Sequence, residues 1–380
     1  MSRKLLFVAS SYIHILNFHL PYLRALHEEG LEIHAGCAAP QADIPWADRT
    51  LSFPFEKKMS APSNFRAAAQ LRRLIRREGY GLVIVHTSLA AFFTRMAMWG
   101  MRDRPKVVNM VHGYLFDDAT PFPKRQIMLW AERLTAPQTD LLLTMNEWDY
   151  ELAKRCRLAK RVELIPGVGV DFGRLRRQGP EAAAELRGSL GIAPDAFVLF
   201  CAAELSKRKS QHVLISALAR LPERAVLVLA GSGAEEEKLR RQTEELGVSG
   251  RVFFPGYIRG LETWYAMADA VVSASRIEGL PFNIMEAMYL ERPIVASAIK
   301  GHVDLLTDGE SGLLVPYGDA DAYADAILRL MDDPGLGAEL TKRAAEQVLR
   351  FSLEEAFPRI MRYYGGQPTK EDEKTGAVSR

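Results

Sequence analysis

Short, almost wholly apolar runs alternate with longer amphipathic stretches along this chain, and few folds accept that alternation. In the first half the runs are Leu5–Ala9, Glu32–Ala35, Leu82–Val85, Val107–Val111, Leu141–Thr144 and Val162–Ile165. They are continuous rather than alternating, as expected of parallel strands covered on both faces. Helical periodicity fills the gaps, for example over Asn64–Glu78 and Asn146–Cys156. A turn-rich segment, Pro166-Gly167-Val168-Gly169-Val170-Asp171, closes this series. The pattern then restarts with Phe197–Cys201, Ala225–Leu229, Val252–Phe254, Ala270–Ser273 and Pro293–Ala296. The expectation is an α/β protein of two Rossmann-like domains facing each other across a cleft, residues 1–170 and 171–350. Open α/β sheets bind ligands at the carboxyl ends of their strands, so the cleft is the expected site. The periodic stretch Leu353–Tyr364 predicts a crossover helix over 351–365 that returns to the first domain, and 366–380, almost devoid of apolar residues, predicts a disordered tail.

A length of 380 residues suits two cores better than one, and 48% hydrophobic with 25% charged residues is the balance of a water-soluble globular protein. No apolar run approaches the ~20 residues of a membrane span. The start, Met1-Ser2-Arg3-Lys4 before Leu5–Ala9, has the outline of a signal peptide, but its apolar run is too short and reads better as a buried first strand. Cys37, Cys156 and Cys201 are odd in number and far apart, which fits neither a disulfide framework nor a metal knuckle and suits a reducing cytoplasm. Residues 1–170 carry 23 Lys and Arg against 16 Asp and Glu, while 171–380 carry 26 against 31, so the two halves are expected to meet different partners.

The segment Ser275-Arg276-Ile277-Glu278-Gly279-Leu280-Pro281-Phe282-Asn283-Ile284-Met285-Glu286 carries the clearest chemistry. It follows a strand, turns at Gly279-Leu280-Pro281 and becomes helical near Phe282. Residues Leu280, Pro281, Phe282 and Asn283 therefore form a helix start, whose amides and positive dipole end suit an anion. Glu286, on the first turns of the helix, is placed to accept from a ribose diol, and Glu278, before the turn, lies nearer a sugar. His112 ends another strand and precedes Gly113, a position at the ligand-binding edge. The first loop, Ser10 to His19, offers His14, Asn17 and His19 for acceptor recognition, with a helix capped by Asn17 as the structural alternative. Asp319-Ala320-Asp321 has the spacing of a metal-binding Asp pair but opens a helix, where capping explains it; no metal is expected.

Glu278 and Glu286 resemble the glutamate–seven residues–glutamate signature of family 4 retaining glycosyltransferases. The likeness extends upstream through Val252-Phe253-Phe254-Pro255-Gly256-Tyr257 and Trp264 to Ala270, and downstream through Arg292 to Ser297, Gly301 and Asp308 to Pro316. His112-Gly113-Tyr114, Leu141 to Tyr150 and Ile165 to Asp171 look like a bacterial subgroup that builds capsular, exopolysaccharide and lipid-linked oligosaccharides, several of whose members are similar to N-acetylhexosaminyl transferases.

The resemblance implies the two-domain GT-B fold, with an acceptor domain first and a donor domain second. It implies transfer of a sugar from a UDP-sugar with retention at the anomeric carbon and no metal cofactor, and the subgroup suggests an N-acetylhexosamine as that sugar. Lys209, with Arg208, would neutralise the departing diphosphate; many members carry an arginine where this chain has Glu204, so Lys207 or Arg208 has to supply that charge. Gly231-Ser232-Gly233 would approach the nucleotide, Ile258 would read the base edge and His112 would contact the donor sugar. Glu278, Lys209 and His112 are thus the expected catalytic residues. The partner would be a saccharide or a polyprenyl-diphosphate-linked saccharide, reached at the inner face of the cytoplasmic membrane through a basic surface (Arg66, Arg72, Arg73, Arg76 and Arg77). Nucleic acid is not expected, since no recognition motif accompanies the charge. Other readings are a nucleotide-sugar epimerase, or a non-catalytic nucleotide-sugar-binding component of a polysaccharide assembly complex, which the Glu204 departure favours. A dehydrogenase is disfavoured, since no Gly-x-Gly-x-x-Gly follows Leu5–Ala9.

Overall fold

The computed structural model describes residues 3–365; the expected tail, 366–380, lies outside the described residues. The chain divides into two compact units. One comprises the residues up to Gly169 and the helix from Glu354 onward; the other is Val170–Leu353.

The first unit is built on seven strands: β1 (Lys4–Ser11), β2 (Glu32–Ala38), β3 (Arg49–Ser52), β4 (Leu82–His86), β5 (Lys106–Met110), β6 (Leu141–Thr144) and β7 (Arg161–Leu164). They lie in the order β3-β2-β1-β4-β5-β6-β7, and every pairing is parallel. Leu5 to Ala9 of β1 are fully buried, because helices cover both faces of a parallel sheet. β3 escapes the apolar pattern. Its sequence is Arg-Thr-Leu-Ser and its residues are exposed or half-buried, as an edge strand allows.

The second unit carries β8 (Phe197–Ala202), β9 (Ala225–Ala230), β10 (Val252–Gly256), β11 (Ala270–Ser273), β12 (Ile294–Ser297) and β13 (Leu313–Val315). Their order is β10-β9-β8-β11-β12-β13, again parallel throughout. β13 has three residues, too short for a periodic signal. In both sheets the chain winds outward one way, then returns to the middle and winds the other way. The reversal falls between β1 and β4 in one sheet and between β8 and β11 in the other. At such a point the loops leaving adjacent strands diverge to opposite faces and open a crevice.

The helix Leu353–Gly365 packs on the first unit. Its Phe357 stacks on Tyr22 at 5.4 Å, and Tyr364 is buried beside Tyr22. The basic helix Pro62–Glu78 turns Ala67, Ala68, Leu71, Leu74 and Ile75 into the core and its arginines outward. Most of its apolar face is therefore packed inward, and Phe65 is the large apolar side chain it leaves exposed among its arginines. Arg95 is fully buried and donates to Glu132 at 2.9 Å, joining the helices Ser88–Ala97 and Phe122–Thr135. Among the described residues no helix is long and apolar enough to cross a membrane.

Candidate active site

The reversal point of the second sheet gathers the residues singled out by their sequence. The turn after β8 carries Arg208 and Lys209, and the turn after β11 carries Glu278. Lys209 Nζ donates to Glu278 Oε1 at 2.6 Å, and Arg208 Nη1 donates to Glu278 Oε2 at 3.0 Å. The backbone laces the turns together as well: Arg276 N donates to the Arg208 carbonyl at 2.8 Å. Glu278 is only 8% exposed. Burial alone pushes its pKa up, but the two cations outweigh burial and hold it below the usual carboxylate value. The trio thus carries two positive charges against one negative, with Lys209 itself largely buried. Lys207 and Glu204 are exposed. Of Lys207 and Arg208, the two candidates to replace the arginine missing at Glu204, it is Arg208 that reaches Glu278.

The helix Phe282–Tyr289 begins after Pro281, whose own side chain makes no capping hydrogen bond. Leu280 and Pro281 are buried, and Asn283 Nδ2 donates back to the Ala202 carbonyl at the end of β8 at 3.3 Å. Glu286 projects from the same helix. Burial raises its carboxyl to about 7, and a nearby Glu262 adds to the shift while the Tyr265 hydroxyl, 2.9 Å from Oε2, opposes it. Tyr265 is fully buried; it falls in the Trp264–Ala270 stretch of the family resemblance, which gave it no role. Only the packing of the helix Leu261–Met267 shows that it orients Glu286.

Two glycine positions are dictated by close approach. A Cβ on Gly231 would lie 2.0 Å from the Ala203 carbonyl oxygen, and one on Gly233 2.2 Å from that of Leu205. Ser232 O also accepts from Leu205 N at 3.0 Å. The Gly231-Ser232-Gly233 turn is thus pressed against the turn that leads to Lys209. Ile258 is half-buried after β10, and Tyr257 beside it is 81% exposed.

Residues His112, His14 and Asn17 belong to the first unit. Ser11, not Asn17, caps the helix Tyr12–Phe18, accepting from His14 N at 3.3 Å; Asn17 sits exposed in the last turn, so the capping alternative for it is wrong. The next helix starts at Leu20 with Pro21 in its first turn, which explains why no Asn cap is needed. His112 Nε2 lies 3.3 Å from His14 Nε2 and 3.2 Å from His86 Nδ1. His19 Nε2 lies 3.2 Å from His14 Nε2. His86, which drew no notice in the sequence, is thereby part of a four-histidine group. Asp319 caps the helix Ala320–Asp332, accepting from Ala322 N at 3.0 Å, while Asp321 pairs with Arg220.

Comparison with known proteins decides the family. The sequence pattern described as "Glycosyl transferases group 1" matches residues 183–347, and that of "Glycosyltransferase Family 4" matches 22–173. EpsD of Bacillus subtilis (strain 168), provisionally named a glycosyltransferase, is 34% identical over 357 residues that make up 93% of each chain. The chain belongs to glycosyltransferase family 4. The transferase is also 34% identical over 183 residues to LpsE of Rhizobium meliloti (strain 1021), a lipopolysaccharide core biosynthesis glycosyltransferase, covering 48% of this chain and 54% of that one. The crystal structure of Anabaena Alr3699/HepE in complex with UDP-glucose superposes with a TM-score of 0.76 at 23% identity, over 96% of this chain and all of that one. The two parallel-sheet units are those of the GT-B fold class, and the protein is a glycosyltransferase.

Proposed function

We propose that this transferase moves a sugar from a UDP-sugar to a saccharide or lipid-linked saccharide in bacterial surface polysaccharide synthesis, with retention of configuration. The observation that carries the reading is the Lys209–Glu278–Arg208 cluster beside the start of the Phe282 helix. The second unit is the donor side. Lys209, Arg208 and the helix start, at Leu280 to Asn283, would hold the diphosphate and stabilise its developing charge as it leaves, each contact contributing roughly 2–4 kcal/mol to the barrier. No metal is then needed at the diphosphate. Glu278 keeps the two cations in place before the donor arrives and lies near the sugar. Glu286, oriented by Tyr265, would accept from the ribose diol, with Ile258 beside the base and the Gly231-Ser232-Gly233 turn near the nucleotide. The acceptor hydroxyl attacks from the face the diphosphate leaves. UDP is favoured as the nucleotide because the HepE structures hold UDP and UDP-glucose; an N-acetylhexosamine donor rests on the resemblance alone.

The first unit is the acceptor side, where His14 and Asn17 would meet the acceptor and His112 the donor sugar. A cavity of about 710 Å³ opens there, lined by Phe55, Met59, Leu89, Phe92, Phe116 and Ile127 among others. Its walls are apolar, which suits the hydrocarbon end of a polyprenyl-linked acceptor better than a bare sugar. Phe122, Ile127, Trp130 and Leu134 stand exposed along the helix Phe122–Thr135, at 74%, 71%, 64% and 46%. Ile127, Trp130 and Leu134 share one helical face, with Ile127 also lining that cavity and Phe122 at the helix start, and provide a means of resting on the inner surface of the cytoplasmic membrane.

The deciding experiment pairs a thermal-shift screen against UDP, GDP and ADP with transfer from UDP-sugars to a polyprenyl-diphosphate-linked saccharide, the product anomer being read by NMR. Stabilisation by UDP and an α-linked product from an α-linked donor are expected. No shift with any nucleotide at millimolar concentration would overturn the donor site. Free epimer formed without acceptor would point to the epimerase reading, and an inverted anomer would overturn retention.

A further inference from the structure

At the reversal point of the first sheet, four histidines converge from three segments. His14 lies on the helix that follows β1, His19 at the junction of that helix with the next, His86 is the last residue of β4, and His112 follows β5. One ring nitrogen from each lies within 4.8 Å of the other three. We propose that these four histidines form a binding site for one transition-metal dication of the zinc class, ligated through imidazole nitrogens.

The contacts between the rings argue for a cation rather than for hydrogen bonds alone. His14 Nε2 faces His19 Nε2 at 3.2 Å and His112 Nε2 at 3.3 Å, and His112 Nε2 also faces His86 Nδ1 at 3.2 Å. A ring nitrogen of a neutral imidazole offers one in-plane proton or one in-plane lone pair. The two central nitrogens each face two neighbours and can serve only one of them well. A cation among the rings takes one lone pair from each. Zn–N bonds of 2.0–2.1 Å place tetrahedral ligand nitrogens about 3.3 Å apart, which is the spacing of the three close pairs. The remaining three pairs, all within 4.8 Å, have to draw in by up to about 1.5 Å to complete the tetrahedron.

The surroundings agree. Burial, reinforced by repulsion among the rings, holds His19, His86 and His112 well below the ordinary histidine value, and burial holds His14 at about 4, so the rings are in the unprotonated state that ligates. Phe7 lies against His86 at 4.5 Å and Phe18 against His14 at 5.1 Å, an apolar shell around the rings. Thr87, directly after His86, holds φ +64°, a conformation that a β-branched residue rarely adopts and that is kept where surrounding structure demands it.

The donor set names the metal class. Imidazole without carboxylate or thiolate suits zinc, copper or nickel rather than magnesium or calcium. Four protein ligands close the coordination sphere, so the ion ties β1, β4 and β5 together and activates no water. The outward nitrogens of His19 and His86 have no partner among the described residues. Each missing partner lowers metal affinity by about 10–100-fold, so binding is expected to be moderate. Ligation through Nε2 leaves His112 Nδ1 as the atom able to meet a sugar hydroxyl. The proposal draws on residues of the first unit alone; it shares His112 with the proposed donor-sugar contact and His14 with the proposed acceptor contact, and rests on neither.

The test uses full-length protein stripped with EDTA and titrated with ZnCl₂ and CoCl₂. One equivalent of each is expected to bind, Co²⁺ giving the intense visible bands of a four-coordinate site that Zn²⁺ abolishes, and MgCl₂ giving no binding. His19→Gln and His86→Gln should each weaken binding at least about tenfold, while His27→Gln, on the following helix and outside the cluster, should not. If those variants fail to fold, the wild-type Co²⁺ spectrum decides. No stoichiometric binding, a six-coordinate spectrum, or affinity that survives both substitutions would overturn the site. UDP stabilisation measured on the same samples reads the donor site separately, so loss of one conclusion is distinguishable from loss of the other.

Discussion

Glu286 is a carboxylate whose burial holds it neutral to about 7, against an ordinary value of 4.5. Between those two pH values the folded protein keeps a proton that the unfolded chain has released, so this group makes stability fall as pH rises through the window. Donor binding has the opposite sign, because the ionised form is the better acceptor for a ribose hydroxyl. The affinity for UDP-glucose, whose diphosphate does not titrate in this range, is expected to rise about tenfold between pH 6 and pH 8. Glu286→Gln should flatten that profile, and calorimetry at the two pH values checks it; Glu286→Ala should mainly weaken donor binding at either. Lys209 acts at the other end of the donor. Lys209→Ala should lower kcat by about 10²–10³-fold with a smaller change in donor affinity, since the charge it meets grows as the diphosphate leaves. Equal losses in kcat and affinity would show that it binds ground state and transition state alike.

The helices of the first unit divide their work by what they leave exposed. The Pro62–Glu78 helix packs most of its apolar face inward, whereas Phe122–Thr135 keeps Phe122, Ile127, Trp130 and Leu134 outside. Replacing Ile127 and Trp130 together by Glu should abolish co-sedimentation with anionic vesicles and leave the melting temperature within a degree or two, because neither side chain is part of the core. The opposite face of that helix is anchored by the buried Arg95–Glu132 pair. Glu132→Ala strands a guanidinium that retains only the Ala91 carbonyl and Thr139 hydroxyl. It should cost about 3–5 kcal/mol of stability, measurable by urea denaturation. A loss near zero would mean that the guanidinium finds water through the adjoining cavity.

For the whole molecule, two sheets of the same winding carry different chemistry at the same topological position. Charge gathers where β8 and β11 diverge, and imidazoles gather where β1 and β4 diverge. Hydrogen exchange on the full chain should therefore separate them. UDP is expected to protect the turns around Lys209, Gly231 and Glu278 in the second unit and to leave the amides around His14 and His86 unchanged. Protection centred on the first unit instead would move the nucleotide site there.

Much of this was legible before any coordinates. Continuous apolar runs mark parallel strands because both faces of such a sheet are covered, and the runs at Leu5, Leu141 and Ala270 coincide with strands to within a few residues. The Glu278–Glu286 spacing and the helix start at Phe282 are local, so the sequence alone determined them. The edge strand β3 and the three-residue β13 were not legible, since neither is long or apolar enough to show a period. Tertiary structure alone decided which cation replaces the arginine absent at Glu204, that Tyr265 orients Glu286, and that Ser11 rather than Asn17 caps the first helix. It also decided that histidines at 14, 19, 86 and 112 meet. Their separation along the chain carries no signal, because the sheet order that brings β1, β4 and β5 side by side is set by the packing of the whole unit and not by any segment of it.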